Sequence, residues 1–232
     1  MTVSWWSRLL DFISPRMCVV CGRRLSPTER SVCTVCMMHL PRTMFQSAPE
    51  DNAMVQRFWG LAPIERAAAL IFHESHAETA QIVYRLKYGN HPDIGEDMGR
   101  LMANEMRTAR FFDGIDVLVP VPLSPKRMRQ RGYNQSEMLA RGIRELTGIP
   151  IANNVLGRKH FRKSQTQLNR AERQKNVEDM FYLKKSAALR GKHVLLIDDV
   201  CTTGATLIAC ASALKAIDGI TISALTWGVT HA

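Results

Sequence analysis

Two adjacent carboxylates, Asp198 and Asp199, follow an apolar run at residues 194–197. Such a run is typical of a buried parallel strand, and ligands of open parallel sheets bind beyond the carboxyl ends of the strands. Neighbouring side chains on a strand point to opposite faces, so we expect the two acids to have different roles. Carboxylate oxygens accept hydrogen bonds from the hydroxyls of a vicinal diol, and they also suit Mg²⁺. The pair therefore predicts a site for a diol or for a magnesium–pyrophosphate complex.

A turn of small and hydroxyl-bearing residues comes next and leads into an apolar helical pattern. It consists of Cys201, Thr202, Thr203, Gly204, Ala205 and Thr206. Amides and hydroxyls at a helix N-terminus favour an anion, and Gly204 allows the backbone to approach it closely. A diol site joined to an anion site describes ribose 5-phosphate. The simpler alternative is a strand ended by two solvated aspartates and a helix capped by Thr203, although an ordinary cap needs only one such residue.

Four cysteines near the N-terminus form two CxxC pairs. They are Cys18, Cys21, Cys33 and Cys36. Two turns that each present two thiolates suit a tetrahedral Zn²⁺ ion, and four protein thiolates leave no open position, so we expect the zinc to be structural. The alternatives are two disulfides, which a cytoplasmic chain disfavours, or a redox pair, although the region does not resemble a thioredoxin-like unit.

The net charge of +10 is concentrated in two segments. The first contains Lys126, Arg127, Arg129 and Arg131 with no nearby acid, and the second, residues 158–175, contains seven basic residues against Glu172. Together they account for the whole excess of positive charge. Such concentration indicates a polyanion site for pyrophosphate, nucleotide or nucleic acid, and the alternative is two solvated loops that keep the protein soluble.

Composition limits the class of protein. The chain is 46% hydrophobic and 22% charged, and it has no apolar run of the roughly 20 residues that span a bilayer. The first residues lack the pattern of a secretory signal, so we predict a cytoplasmic protein. Residues 5–13 suit one apolar face of a short helix, which either packs on the protein or docks on a membrane surface or a partner.

Strand and helix patterns alternate along the rest of the chain. Residues 66–74 fit a strand or a helix, residues 116–123 a buried strand, and residues 149–156 a short strand before the basic loop. We predict helices at residues 77–88, 94–112, 134–148 and 205–219, and strands at 192–200 and 220–227. Asn134 caps its helix, with Glu137 reaching back to the cap amide. This alternation predicts an α/β fold with a doubly wound, mostly parallel sheet.

Several stretches in order resemble one known family. "VLLIDDVCTTGATL" resembles the phosphoribosyl-pyrophosphate (PRPP) motif of type I phosphoribosyltransferases, which identifies a fold class. "YRLKYGN", "PVPLSPKRMRQRGYNQ", "SQTQLNRAERQKN" and the paired cysteines extend the resemblance over essentially the whole chain. More narrowly, the chain resembles the ComF family, named for competence for DNA uptake. The resemblance implies an N-terminal helix and four-cysteine zinc ribbon at residues 1–45 and a type I phosphoribosyltransferase-like domain at residues 60–232.

The resemblance also implies roles for individual residues. Asp198 and Asp199 would contact the ribose hydroxyls of PRPP bound with Mg²⁺. Residues 121–124 would form the pyrophosphate loop, and Lys87 either points at the pyrophosphate or is a helix-end cation. The remaining PRPP-binding residues would be Val121, Pro122, Lys126, Arg127, Val200, Cys201, Thr202, Thr203, Gly204, Ala205 and Thr206. The flap over the site, or a nucleic-acid contact, would include Arg158, Arg162, Lys163, Arg170 and Arg173.

Cys201 departs from the usual loop composition. A helix N-terminus would lower the pKa of its thiol and make it reactive, or the residue is simply small enough to fit.

Two functions remain open on the sequence alone. The first is a phosphoribosyltransferase that moves the phosphoribosyl group of PRPP to an unknown acceptor in connection with DNA uptake or utilisation. The second is a non-catalytic competence protein that binds single-stranded DNA or docks on a DNA-uptake helicase or another competence protein. The basic segments contain few aromatics, Tyr133 and Phe161, which disfavours a multi-base stacking platform.

Overall fold

The computed structural model describes residues 15–158, 180–184 and 187–231. The predicted N-terminal helix lies outside these residues. Most of the predicted flap does so too, including Arg162, Lys163, Arg170 and Arg173.

A four-stranded, all-parallel sheet forms the centre of the molecule. Its strands are β1 (Ala67–Phe72), β2 (Val117–Pro120), β5 (His193–Cys201) and β6 (Thr221–Val229), in the order β1-β6-β5-β2. Phe72 pairs with Val229, Val229 with Cys201, and Pro120 with Ile197, so the carboxyl ends of all four strands meet at one edge. A separate antiparallel pair joins β3 (Leu156–Arg158) to β4 (Phe181–Leu183). The predicted α/β fold with a parallel sheet is confirmed.

Helices and short turns cover both faces of this sheet. The α-helices are α1 (Thr34–Met38), α2 (Ala80–Tyr88), α3 (Pro92–Thr108), α4 (Pro125–Arg131), α5 (Gln135–Thr147) and α6 (Ala205–Leu214). The 3₁₀ turns are Phe45–Ser47, Val55–Phe58 and Ala187–Leu189. One core packs α3 and α5 on strand residues such as Leu118 and Leu195, and the other packs α6 on Val119 and Leu196. Two apolar layers on alternate strand residues are the mark of a doubly wound sheet.

Two glycines bring α3 and α5 into close contact. A β-carbon on Gly99 would overlap the Leu139 carbonyl, and one on Gly142 would overlap the Glu96 carbonyl. The helices therefore approach at backbone distance, which places the N-terminus of α5 beside the end of β5. Asn134 caps α5 as predicted, through the Ser136 amide at 3.2 Å. Glu137 instead accepts from Arg141 at 2.9 Å, because the long guanidinium reaches it one turn away.

Two segments differ in detail from the sequence expectations. Residues 66–74, which fitted a strand or a helix, contain β1, whose side chains are buried on both faces. The strand expected at 149–156 is only a single bridge from Ile151 to Leu118, and the regular strand begins at Leu156. The regular strand starts late because its antiparallel partner β4, Phe181–Leu183, pairs only with residues 156–158.

The cysteine-rich segment packs on the main domain. Cys18, Leu25 and Val32 belong to the same apolar core as Met98 of α3. At its edge the Arg42 guanidinium pairs with Glu105 of α3 at 2.8 Å. Among the residues described, no helix is both long and apolar enough to cross a membrane.

Candidate functional site

An open cavity of about 350 Å³ lies at the carboxyl ends of the parallel strands. It is the place where the sheet geometry predicts a ligand. Twelve residues that the sequence analysis named, singly or within the predicted pyrophosphate loop, line it: Lys87, Val121, Pro122, Leu123, Arg127, Arg131, Arg158, Asp198, Asp199, Val200, Thr202 and Thr206. A smaller adjoining cavity is lined by Cys201, Thr203, Gly204 and Ala205 together with their neighbours. Lys126 lies on exposed α4 and lines neither cavity.

The two acids at the end of β5 have different partners. Asp198 Oδ1 accepts a hydrogen bond from the Ser136 hydroxyl at 3.0 Å and another from the Asp199 amide at 2.9 Å. Asp199 Oδ2 lies 3.1 Å from the Lys87 ammonium. One acid is therefore held by neutral donors from α5 and the backbone, whereas the other is held by a cation at the end of α2.

This difference leaves Asp198 poorly compensated. Burial and the neighbouring Asp199 carboxylate raise the pKa of Asp198 from its usual 3.8 to about 7, against the opposing effect of its hydrogen bonds and Lys87. A carboxyl group in this state exchanges its proton near neutral pH. A cation or a hydroxyl donor entering the cavity would favour the ionised form.

The turn after β5 has the geometry of an anion-binding loop. Gly204 has φ of +81°, and a β-carbon there would lie 2.9 Å from the Phe58 ring, so this position accommodates glycine only. Within the described residues, the amides of Thr203 and Thr206 donate to no protein acceptor. They lie at the N-terminus of α6, where unpaired amides and the helix dipole attract negative charge.

Cys201 is a buried residue and not an exposed thiol. It belongs to the apolar core that contains Phe58 and Leu207. Burial raises the pKa of its thiol to about 11, which outweighs the lowering effects of Arg57 and of the Gly204 amide. The expectation of a lowered pKa is therefore wrong, and the alternative of a small residue that fits is the better description.

Basic side chains line the same cavity as the two acids. Arg127 and Arg158 both line it. Burial and the nearby Arg127 charge lower the pKa of Arg158, whose guanidinium also lies 5.2 Å from the centre of the Phe181 ring. Two guanidinium groups that repel each other are stabilised when an anion lies between them.

Several lining residues were not predicted individually from the sequence. Ser136 and Gln135 lie at the start of α5, and Arg131, predicted only as part of the first basic segment, lies at the end of α4. His73 follows β1, and its buried Nδ1 has no hydrogen-bond partner among the described residues. Arg57 lies behind the loop and donates to the Thr202 carbonyl. Ser136 and Arg131 fall within the stretch "KRMRQRGYNQS" whose charge had been noted, whereas nothing in the sequence indicates Arg57.

The four paired cysteines lie together, as their spacing predicts. Their sulfur atoms all lie within 4.8 Å of one another, and those of Cys21 and Cys33 are 3.8 Å apart. A tetrahedral ion with Zn–S bonds of about 2.3 Å separates its ligand sulfurs by about 3.8 Å. Gly22, with φ of +70°, makes the tight turn after the first pair. The donor set and its spacing fit a structural zinc ion.

The chain is similar to several known proteins. Residues 86–228 match the family described as "Phosphoribosyl transferase domain". The chain is 25% identical to the DNA utilization protein YhgH of Salmonella typhimurium over 86% of this chain and 91% of that protein. It is 30% identical to competence protein F of Haemophilus influenzae, over 65% and 67%. Among solved structures, adenine phosphoribosyltransferase from Leishmania tarentolae matches with a TM-score of 0.36 and 13% identity, over 75% of this chain and 72% of that one. The chain therefore belongs to the phosphoribosyltransferase domain family and, within it, is a ComF-family protein.

Proposed function

We propose that this protein binds PRPP with Mg²⁺ and transfers its phosphoribosyl group to an acceptor. The observation that carries the proposal is that Asp198 and Asp199 lie directly beside a loop with two amides that are unpaired among the described residues, in two adjoining cavities. A diol site beside a phosphate site is the minimum that a ribose 5-phosphate ligand requires.

The ribose hydroxyls would donate to Asp198 and Asp199. The 5-phosphate would accept from the loop amides of Thr203 and Thr206 and from the threonine hydroxyls. The pyrophosphate would lie along residues 121–124, where Arg127 and Arg158 face the same space. Mg²⁺ prefers oxygen ligands, which the carboxylates and the pyrophosphate supply, and when bound it would neutralise charge on the leaving group.

In the transfer step, the C1–O bond to pyrophosphate breaks and a bond from the acceptor to C1 forms. The acceptor's proton goes to solvent, and pyrophosphate keeps the electron pair of the broken bond. Positive charge develops on the ribose as the leaving group gains negative charge. Arg127 and Arg158 would stabilise the departing anion, and Asp198 and Asp199 would hold the ribose in place.

The paired cysteines are proposed to hold zinc for structure and not for chemistry. Four thiolates fill its coordination shell, and none of them lines the cavity. The names of the two relatives, a DNA utilization protein and a competence protein, support a role in DNA utilisation or competence for DNA uptake. As part of this proposal, the protein acts in the cytoplasm with a DNA-uptake helicase or another competence protein as its partner.

Calorimetric titration tests the ligand. We expect saturable binding of PRPP with Mg²⁺ to the zinc-loaded chain, and loss of most of that affinity in Asp198→Asn/Asp199→Asn. Asp218→Asn, an exposed acid paired with Arg190, is the matched control and should bind as the wild type does. Absence of binding by folded wild type, or equal affinity in the double variant, would count against the proposal.

A second candidate function, binding of single-stranded DNA, is favoured by an aromatic and basic groove beside the cavity. Tyr84 and Tyr88 are 59% and 67% exposed, and their rings lie 5.2 Å apart on α2. Arg131 lies 5.5 Å from the centre of the Tyr88 ring. The groove, of about 620 Å³, is lined by Lys87, Tyr88, Asn90, Arg127, Arg129, Gln130, Arg131 and Gly132, with no acid among these residues. The basic segments contain few aromatic residues of their own, and α2 supplies Tyr84 and Tyr88 beside them.

Fluorescence anisotropy with a labelled oligothymidylate tests this candidate. Stacking predicts that Tyr88→Leu weakens binding about fivefold or more, whereas Tyr88→Phe retains it. Arg129→Gln should reduce the slope of log affinity against log salt by about 1, and Lys215→Gln on the far end of α6 should leave it unchanged. Equal affinities of the Leu and Phe variants would exclude a stacking platform here.

A further inference from the structure

Arg57 lies behind the candidate phosphate loop, in the segment 46–59 that the expected domain boundaries leave unassigned. It belongs to the 3₁₀ turn Val55–Phe58. Its two terminal nitrogens donate to two different main-chain carbonyls, that of Thr202 after β5 and that of Thr230 after β6, the latter at 2.5 Å. One guanidinium therefore ties together the ends of two neighbouring strands at the floor of the site.

The bond to Thr202 fixes the direction of an amide that matters for the ligand. In a trans peptide the carbonyl and the following N–H point in opposite directions. Because the Thr202 carbonyl points back at Arg57, the Thr203 N–H points away from it, to the opposite side of the loop. That amide has no protein acceptor among the described residues. The positive charge behind the loop adds to the attraction for a phosphate in front of it.

The same segment also supports the loop by packing and is itself anchored. Phe58 fills the space beneath Gly204 and is fully buried. The Asn52 side chain donates to the carbonyls of Ala48 and Ala67 and accepts from the amides of Met54 and Val55. These contacts fix the turn that carries Arg57, so that Arg57 can hold the neighbouring loop in place.

We propose that Arg57 is the positioning residue for the phosphate end of the ribose ligand, acting through the Thr202 carbonyl and never touching the ligand. The inference rests on the proposed PRPP site and divides the affinity of that site between two groups of residues. Affinity for the 5-phosphate depends on Arg57, whereas affinity for the pyrophosphate depends on the separate cluster around Arg127.

The test compares ligands that occupy different parts of the site. In calorimetry with Mg²⁺, Arg57→Ala should weaken ribose 5-phosphate and PRPP about tenfold or more, since two charge-assisted hydrogen bonds are lost. Inorganic pyrophosphate should bind within twofold of wild type. Arg57→Lys, which keeps the charge but replaces one bond at most, should show a smaller loss. Arg66→Ala is the matched control, because Arg66 also donates to a main-chain carbonyl, that of Asp113 at 2.6 Å, but Asp113, unlike Thr202, lines neither cavity.

Hydrogen exchange on the unliganded protein gives a readout that needs no ligand. The amides of Ile208 and Thr230, which donate to the carbonyls of Gly204 and Cys201 at the two ends of the loop, should exchange faster in Arg57→Ala than in wild type or Arg66→Ala. Unchanged exchange, or equal losses for ribose 5-phosphate and pyrophosphate, would overturn the assignment. If wild type binds no ribose ligand at all, the proposed function fails, and the exchange result still decides whether Arg57 orders the loop.

Discussion

Replacing Asp198 by asparagine should make the unliganded protein more stable at alkaline pH. The pKa of Asp198 is about 7 in the folded protein, and its usual value is 3.8. Between these values the folded state binds a proton that the unfolded state has released. The free energy of unfolding therefore falls as pH rises through this window and becomes level above about pH 7.

The magnitude follows from the width of the window. Each pH unit within it corresponds to about 1.4 kcal/mol, so from pH 5 to pH 8 the wild type should lose roughly 2 to 3 kcal/mol through this group. An asparagine side chain at this position has no charge to desolvate and keeps an oxygen for the Ser136 hydroxyl. The stability of Asp198→Asn relative to wild type should therefore increase by that amount between pH 5 and pH 8.

Urea denaturation at closely spaced pH values measures the difference directly. Other titrating groups, such as His73, are common to both proteins and cancel in the comparison. Asp218→Asn is the control, because this exposed acid pairs with Arg190 at 2.8 Å and is not among the charges that act on Asp198, so it should keep the pH dependence of the wild type. A difference between Asp198→Asn and wild type that stays constant over this range would refute the account of a buried, poorly compensated carboxyl group.

Three further predictions concern the zinc module, the helix contact and the cation at Asp199. The purified chain should contain one zinc per molecule by elemental analysis. Removal of the zinc by a chelator should lower the melting temperature, because Cys18 lies within the shared core. An unchanged melting temperature after full loss of zinc would contradict this. Gly142→Ala should lower the free energy of unfolding measured in urea by about 2 kcal/mol or more, since the added methyl overlaps the Glu96 carbonyl. Gly191→Ala should lower it by about 1 kcal/mol, because Gly191 has open space around it but a positive φ. Lys87→Met should weaken binding of PRPP with Mg²⁺ about fivefold or more in calorimetry by leaving Asp199 without its partner, and an unchanged affinity would mean that Lys87 is only a helix-end cation.

The sequence predicts the geometry of those parts of the site that are contiguous in the chain. Asp198 and the residues 201–206 form a strand end, a turn and a helix start, so their pattern predicts their geometry locally. The cysteine cluster was predictable for the same reason, since its spacing within each pair is set by one turn.

The remaining parts depend on packing between distant elements. The Ser136 hydroxyl meets Asp198 across 62 residues of chain, and Arg57 meets Thr202 across 145. Neither contact leaves a periodic or spacing signal, because the first follows from the packing of α5 beside β5 and the second from the packing of the turn Val55–Phe58 against the loop after β5. The Tyr84–Tyr88 pair escaped for a related reason: helical spacing marks the two as neighbours, but only the fold places basic α4 beside them.

A crystal structure of the zinc-loaded full chain with PRPP and Mg²⁺ would be the most decisive test of PRPP binding at this site. We expect the 5-phosphate against the amides of Thr203 and Thr206, the ribose hydroxyls on Asp198 and Asp199, and the pyrophosphate near Arg127. An empty loop at saturating ligand, or PRPP bound instead in the groove beside Tyr88, would contradict it.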